Sequence, residues 1–144
     1  MSKIEDSTGI TRRGALCALS LVGVGIFSSP EAATAATGVK ILPSGKVQVT
    51  LKSNPALRKV GGVVRIDDVQ GKSIALVRTS AKAYTAINLL CTHLGGELVQ
   101  TGNQWQCQEH QATFTLAGKN LVGPATTALK RLPVRATASM VTIG

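Results

Sequence analysis

Cys91-Thr-His93 and Cys107-Gln-Glu-His110 hold both histidines of the chain and two of its three cysteines. Thirteen residues separate the two groups. This pairing constrains the fold more than any compositional figure does. If the four side chains act together, the residues between them must bring one group opposite the other.

Four chemistries compete for such a set. A disulfide between Cys91 and Cys107 would close a loop of about 15 residues and stabilise by roughly 3 kcal/mol, but it leaves both histidines unused. A Cys-His catalytic pair uses one group and leaves its duplicate idle. Structural zinc would use all four residues, although C-x-H departs from the spacings of zinc fingers. A two-iron cluster with two thiolates on one iron and two imidazoles on the other takes one cysteine and one histidine from each group. The C-x-H and C-x-x-H spacings are short enough for each loop to reach both irons.

The surrounding pattern is all-β. Lys46 to Lys52 alternates, with Val47, Val49 and Leu51 on one face and Lys46, Gln48, Thr50 and Lys52 on the other, which is the period of a half-buried strand. Further short strands are predicted at Val63–Ile66, Ile74–Arg78, Tyr84–Leu89, Glu97–Gln100, Gln104–Gln106, Thr113–Leu116, Leu132–Ala136 and Met140–Ile143. Turn residues separate them at Pro43–Gly45, Asp67–Gly71, Thr101–Asn103 and Gly118–Asn120, as in a sandwich or barrel. Only Asn54–Arg58 reads as a helical turn, with Pro55 at its first position. Cys91 and Cys107 then follow strands, in loops that face one another across a hairpin of residues 97–106. With 44% hydrophobic but only 3% aromatic residues, the core must be mainly aliphatic.

The first 35 residues read as an export signal. Thr11-Arg12-Arg13 precedes an apolar run from Gly14 to Phe27, and Ala33-Thr34-Ala35 offers an A-x-A cleavage site. The arginine pair resembles the twin-arginine signal, with Ala15 where a larger apolar residue is preferred. A run of 14 residues is short for a bilayer of about 30 Å, but residues 28–36 interrupt the apolar stretch only at Pro30 and Glu31, so an uncleaved signal acting as an anchor stands as the alternative to cleavage. Export predicts an extracytoplasmic, periplasmic location, with residues 36–144 as the folded domain. The net charge of +9, from 16 Lys+Arg against 7 Asp+Glu, suits an acidic protein or an anionic membrane surface. Nucleic acid is not expected as a partner, because the basic residues are scattered and the aromatics that stack on bases are scarce.

"CTHLGG" (residues 91–96) and "CQEH" (107–110) resemble the two cluster loops of the Rieske iron–sulfur proteins. The resemblance extends to "AYTAINLLCTHLG", to "FTLAGKNLVGPATTALKRLPV", and to "VGGVVRI" and "ALVR", and so covers nearly all of residues 40–143. It implies an all-β Rieske-type fold of small antiparallel sheets, with a cluster-binding part at about residues 88–126. It also implies one [2Fe–2S] cluster held by Cys91, His93, Cys107 and His110. The histidines would lie at the exposed tip as the electron's exit, Leu94 would help to shield the cluster, and Gly123-Pro124-Ala125 would be the proline loop covering one side.

The departures from the family pattern concern redox tuning. High-potential members carry a second cysteine in each loop, and these form a disulfide; here those positions are Gly96 and Glu109. The Ser and Tyr hydroxyls that bond the sulfurs in quinol-oxidising members correspond to Ala112 and Phe114. Two ferric ions, two sulfides and two thiolates sum to zero charge, and reduction takes the cluster to −1. Missing donors and the negative Glu109 therefore both oppose reduction. The resemblance implies one-electron transfer, by an exported carrier or a small subunit of a larger oxidoreductase. Its redox partners would be other proteins, such as a larger oxidoreductase subunit or a c-type cytochrome. The Rieske subunit of a quinol-oxidising cytochrome complex is the alternative. A Rieske oxygenase is not expected, since no residues remain for a separate catalytic iron domain.

Overall fold

The computed structural model describes residues 33–144; the twin-arginine-like motif and the apolar run lie outside the described residues. Three sheets are stacked. The middle sheet has β1 (Thr34–Ala35), β4 (Val63–Val69), β5 (Lys72–Arg78), β6 (Tyr84–Asn88) and β11 (Arg131–Leu132), in the order β1-β4-β5-β6-β11. One face carries β2 (Val39–Ile41), β3 (Val47–Thr50), β12 (Val134–Ala136) and β13 (Met140–Ile143), ordered β12-β13-β3-β2. The other carries β7 (Leu98–Thr101), β8 (Gln104–Cys107), β9 (Thr113–Thr115) and β10 (Asn120–Val122), ordered β10-β9-β8-β7.

The middle sheet is buried on both faces, and β5 shows why its sequence lacks alternation. Ile74 and Leu76 point into a core shared with Val47, Val49, Leu57, Val141 and Ile143. Ala75 and Val77 point the other way, into a core with Leu98, Trp105, Phe114 and both loop cysteines. Side chains alternate faces along a strand, so a strand covered on both sides reads as one apolar run.

The predicted strands form, with corrections: β4 runs on through Asp67–Val69, where a turn was expected, and β2 and β10 were not expected. The strand expected to Lys52 ends at Thr50, and Leu51–Ser53 turns into 3-10 conformation, followed by a second 3-10 turn at Pro55–Arg58. Leu132–Ala136 is split at Pro133 into β11 and β12, which belong to different sheets, because proline donates no ladder hydrogen bond. Thr34–Ala35 belongs to the folded sheet: β1 pairs parallel with β4, in register Thr34 to Val64 and Ala35 to Arg65. β1 is the exception among otherwise antiparallel pairings.

β5 and β6 pair with Ile74 opposite Asn88 and Arg78 opposite Tyr84. The chain therefore leaves β6 towards Cys91 at the Lys72 end of β5. The β7–β8 hairpin, with Gly102 at positive φ in its turn, returns the chain to Cys107 opposite Leu98.

Candidate metal centre

Residues 91–96 and 107–112 adopt the same backbone path. The Cys91 N–H donates to Gly96 O (2.8 Å) and the Gly95 N–H to Cys91 O (2.8 Å). In the second loop, the Cys107 N–H donates to Ala112 O (2.8 Å) and the Gln111 N–H to Cys107 O (3.0 Å). Each turn closes at a residue of positive φ, Gly95 at 76° and Gln111 at 58°. Glycine reaches this region without strain, whereas glutamine pays a steric penalty there. The bridge between Leu90 and Glu97 closes the base of the first loop.

The loops place like groups together. Cys91 and Cys107 are free thiols, 3% and 0% exposed, within the core of Trp105 and Phe114. Burial pushes the Cys91 thiol up, and the neighbouring Cys107 adds to the shift; the backbone N–H groups of His93 and Leu94 point at the Cys91 sulfur and favour its anion. His93 and His110 emerge on the exposed side, their rings edge to face with centroids 4.7 Å apart. Thus thiols meet inside and imidazoles meet outside, one of each from either loop. Among the described residues, no three His, Cys, Asp or Glu side chains gather closely enough to hold a single metal ion. Thiols on one side and imidazoles on the other are the ligand arrangement that a two-iron cluster of mixed ligation would use.

The flanking residues complete the setting. A Cβ on Gly96 would stand 2.9 Å from Cys107 Sγ and 3.1 Å from Glu109 Oε2, so positions 96 and 109 face each other as the resemblance implies. Glu109 Oε2 lies 3.9 Å from His110 Nδ1. Ala112 and Phe114 are fully buried behind Cys107 and offer no hydroxyl. Leu94 stands 68% exposed and forms part of the rim rather than a sealed lid.

Two braces escaped the sequence reading. Thr92 Oγ1 donates to Thr127 O (2.8 Å), tying the first loop to the segment after Gly123–Pro124, and Asn120 Nδ2 holds that segment at Ala125 O (2.8 Å). Arg65 reaches Asp67, Glu97 and the Leu98 carbonyl, fastening the middle sheet to the foot of the first loop. An arginine two residues before an aspartate on one strand was the visible signal for part of that brace.

The Rieske [2Fe-2S] domain family matches residues 50–133. Comparison with the curated proteins finds no match. Among solved structures, the chain is similar to the cyanobacterial plasma membrane Rieske protein PetC3 from Synechocystis PCC 6803, at 23% identity and a TM-score of 0.51, covering 60% of this chain and 90% of that one. It is also similar to the quaternary ammonium Rieske monooxygenase CntA, at 21% identity and a TM-score of 0.53, covering 63% of this chain but only 30% of the monooxygenase. These likenesses show the shared fold. Together with the family match over more than half of the chain, they place this protein in the Rieske [2Fe-2S] domain family, whose domain carries one [2Fe–2S] cluster.

Proposed function

We propose that this protein is an extracytoplasmic one-electron carrier, or a small redox subunit of a larger oxidoreductase. Cys91 and Cys107 would ligate one iron of the cluster, and His93 and His110 the other. The observation that carries the reading is the pairing of thiols inside and imidazoles outside, from two loops of matching backbone. When bound, the cluster supplies a centre that gains and loses one electron without an open coordination site.

The chain's own residues do the rest. The core of Trp105, Phe114 and Leu98 keeps water from the thiol side. The His93 and Leu94 N–H groups stabilise negative charge at the Cys91 sulfur. His93 and His110 present the exposed edge to a partner protein, such as a larger subunit or a c-type cytochrome, which fits a carrier. Export through the twin-arginine-like segment, cleaved or kept as an anchor, is part of the same reading.

Gly96, Glu109, Ala112 and Phe114 all favour a low potential, towards the bottom of the roughly −150 to +300 mV Rieske range. They weigh against quinol oxidation, which requires a strong oxidant. Protein-film voltammetry and reduction by a quinol analogue test this together. A low potential with no quinol-dependent reduction is expected; a potential near the top of the range, with rapid reduction by quinol, would contradict the reading.

A further inference from the structure

The two ends of the middle sheet carry different charge. From Lys72 to Arg78, β5 spans about 20 Å at the rise of a strand. Asp67, Asp68, Glu97 and Glu109 are the side-chain carboxylates of residues 33–144, and all sit at the end of the loops: at the bulged end of β4, beside Leu90, and next to His110. The opposite end carries Lys52, Arg58, Lys59, Arg78 and Lys82 and, among the described residues, no acid.

Arg78 organises that end. Its guanidinium donates to the carbonyls of Leu57 (3.0 Å), Arg58 (2.8 Å), Ser80 (3.1 Å) and Ala81, and lies 5.7 Å from the centroid of the Tyr84 ring. It thereby pins the turns that bear Arg58 and Lys82 without surrendering its charge to a carboxylate. Between them lies a cleft of about 750 Å³ lined by Lys52, Leu57, Arg58, Arg78, Lys82 and Tyr84. Alongside, Lys59 and Val60 stand on a turn fixed by the Gly61 N–H to Arg78 O (2.7 Å), with Val60 62% exposed.

The chain also enters here. β1 runs parallel to β4 and begins opposite Val64, so Ala33 lies at the Arg78 end. Phe27, the last residue of the apolar run, is six positions before Ala33, a reach of at most about 20 Å.

We propose that this basic end lies against an anionic membrane surface. Lys52, Arg58, Lys59 and Lys82 contact lipid phosphates, Val60 enters the headgroup layer, and the cluster loops face the aqueous phase at the far end. The proposal rests on the reading that the N-terminal run holds the protein at a membrane. An acidic protein would satisfy the same cations, but it would not account for the exposed Val60 or for the place where the chain enters.

The test is flotation of the full-length, cluster-loaded chain with vesicles of phosphatidylcholine alone or with about one-third phosphatidylglycerol. Tighter binding to the anionic vesicles is expected, with the excess removed by high salt. Lys59→Gln should lower that excess roughly fivefold, and Lys52→Gln/Arg58→Gln/Lys59→Gln/Lys82→Gln should abolish it with the visible spectrum unchanged. Lys46→Gln/Lys72→Gln, at the other end beside the β4–β5 turn, should leave it intact. Equal binding to both vesicles, or an excess insensitive to the base-end substitutions, overturns the proposal. So does an effect of those substitutions confined to electron exchange with an acidic redox protein. Failure to bind phosphatidylcholine while the anionic excess persists would instead remove the anchor and leave the surface.

Discussion

The two cores of this protein are built from opposite materials. The one beneath Val47, Val49, Leu57, Leu76 and Ile143 is aliphatic and closed by ordinary packing. The one around Trp105 and Phe114 contains two thiols at the foot of loops whose tips are exposed. The first core needs nothing but burial to be stable, whereas the second holds the two thiols proposed as cluster ligands. Structure and function are thus separated across one sheet, whose two faces alternate residue by residue along β5.

Breaking the second core at its chemistry should give the largest effect. Cys107→Ser is expected to abolish iron retention, read from metal content and the visible spectrum, while circular dichroism still reports the β-sheet signal. Breaking the first core should do the reverse. Leu76→Ala removes a fully buried side chain and should lower unfolding stability by about 3 kcal/mol, with the potential of the folded fraction unchanged. A parallel loss of the cluster in Leu76→Ala would show that the two faces are not independent.

Smaller changes sharpen the contrast. Ala112→Ser places a hydroxyl behind Cys107 and should raise the potential by about 40 mV, equivalent to a hydrogen bond of roughly 1 kcal/mol at 59 mV per tenfold. Gln111→Gly relieves a left-handed backbone and should gain up to about 1 kcal/mol in thermal unfolding, partly offset by glycine's greater freedom when unfolded. Asp67→Asn tests the brace. Hydrogen bonds from Arg65 and then Ser73 hold the Asp67 carboxyl below its ordinary value of 3.8. Its contribution is therefore present above that value and lost as pH falls through the lower folded-state one. The side chain is half exposed, so the substitution should cost less than about 1 kcal/mol at neutral pH, and nothing once both forms are neutral in strong acid.

Most of this arrangement was legible in the sequence, for physical reasons that vary by region. Val47 to Thr50 alternates because one face is buried, and the C-x-H and C-x-x-H groups stand out because few other arrangements use both imidazoles. What escaped lies in residues whose role depends on distant partners. Thr34–Ala35 is too short to read as a strand, and it forms β1 along the edge of β4. Leu51 continues the alternation of β3, yet the chain must turn there to reach Pro55. Gln111 gives no hint of its left-handed backbone, because glycine is what such a turn ordinarily advertises. Thr92 looks like a spacer between the proposed ligands until Thr127 is folded beside it.

The most direct test of the account is iron and acid-labile sulfide content of the full-length chain, measured with the electron paramagnetic resonance spectrum after reduction. Two irons and two sulfides per chain with a Rieske-type signal, lost in both His93→Ala and Cys107→Ser, are expected from the ligand set and the family. A single zinc, or an iron-free protein joined at Cys91 and Cys107 by a disulfide, would contradict it.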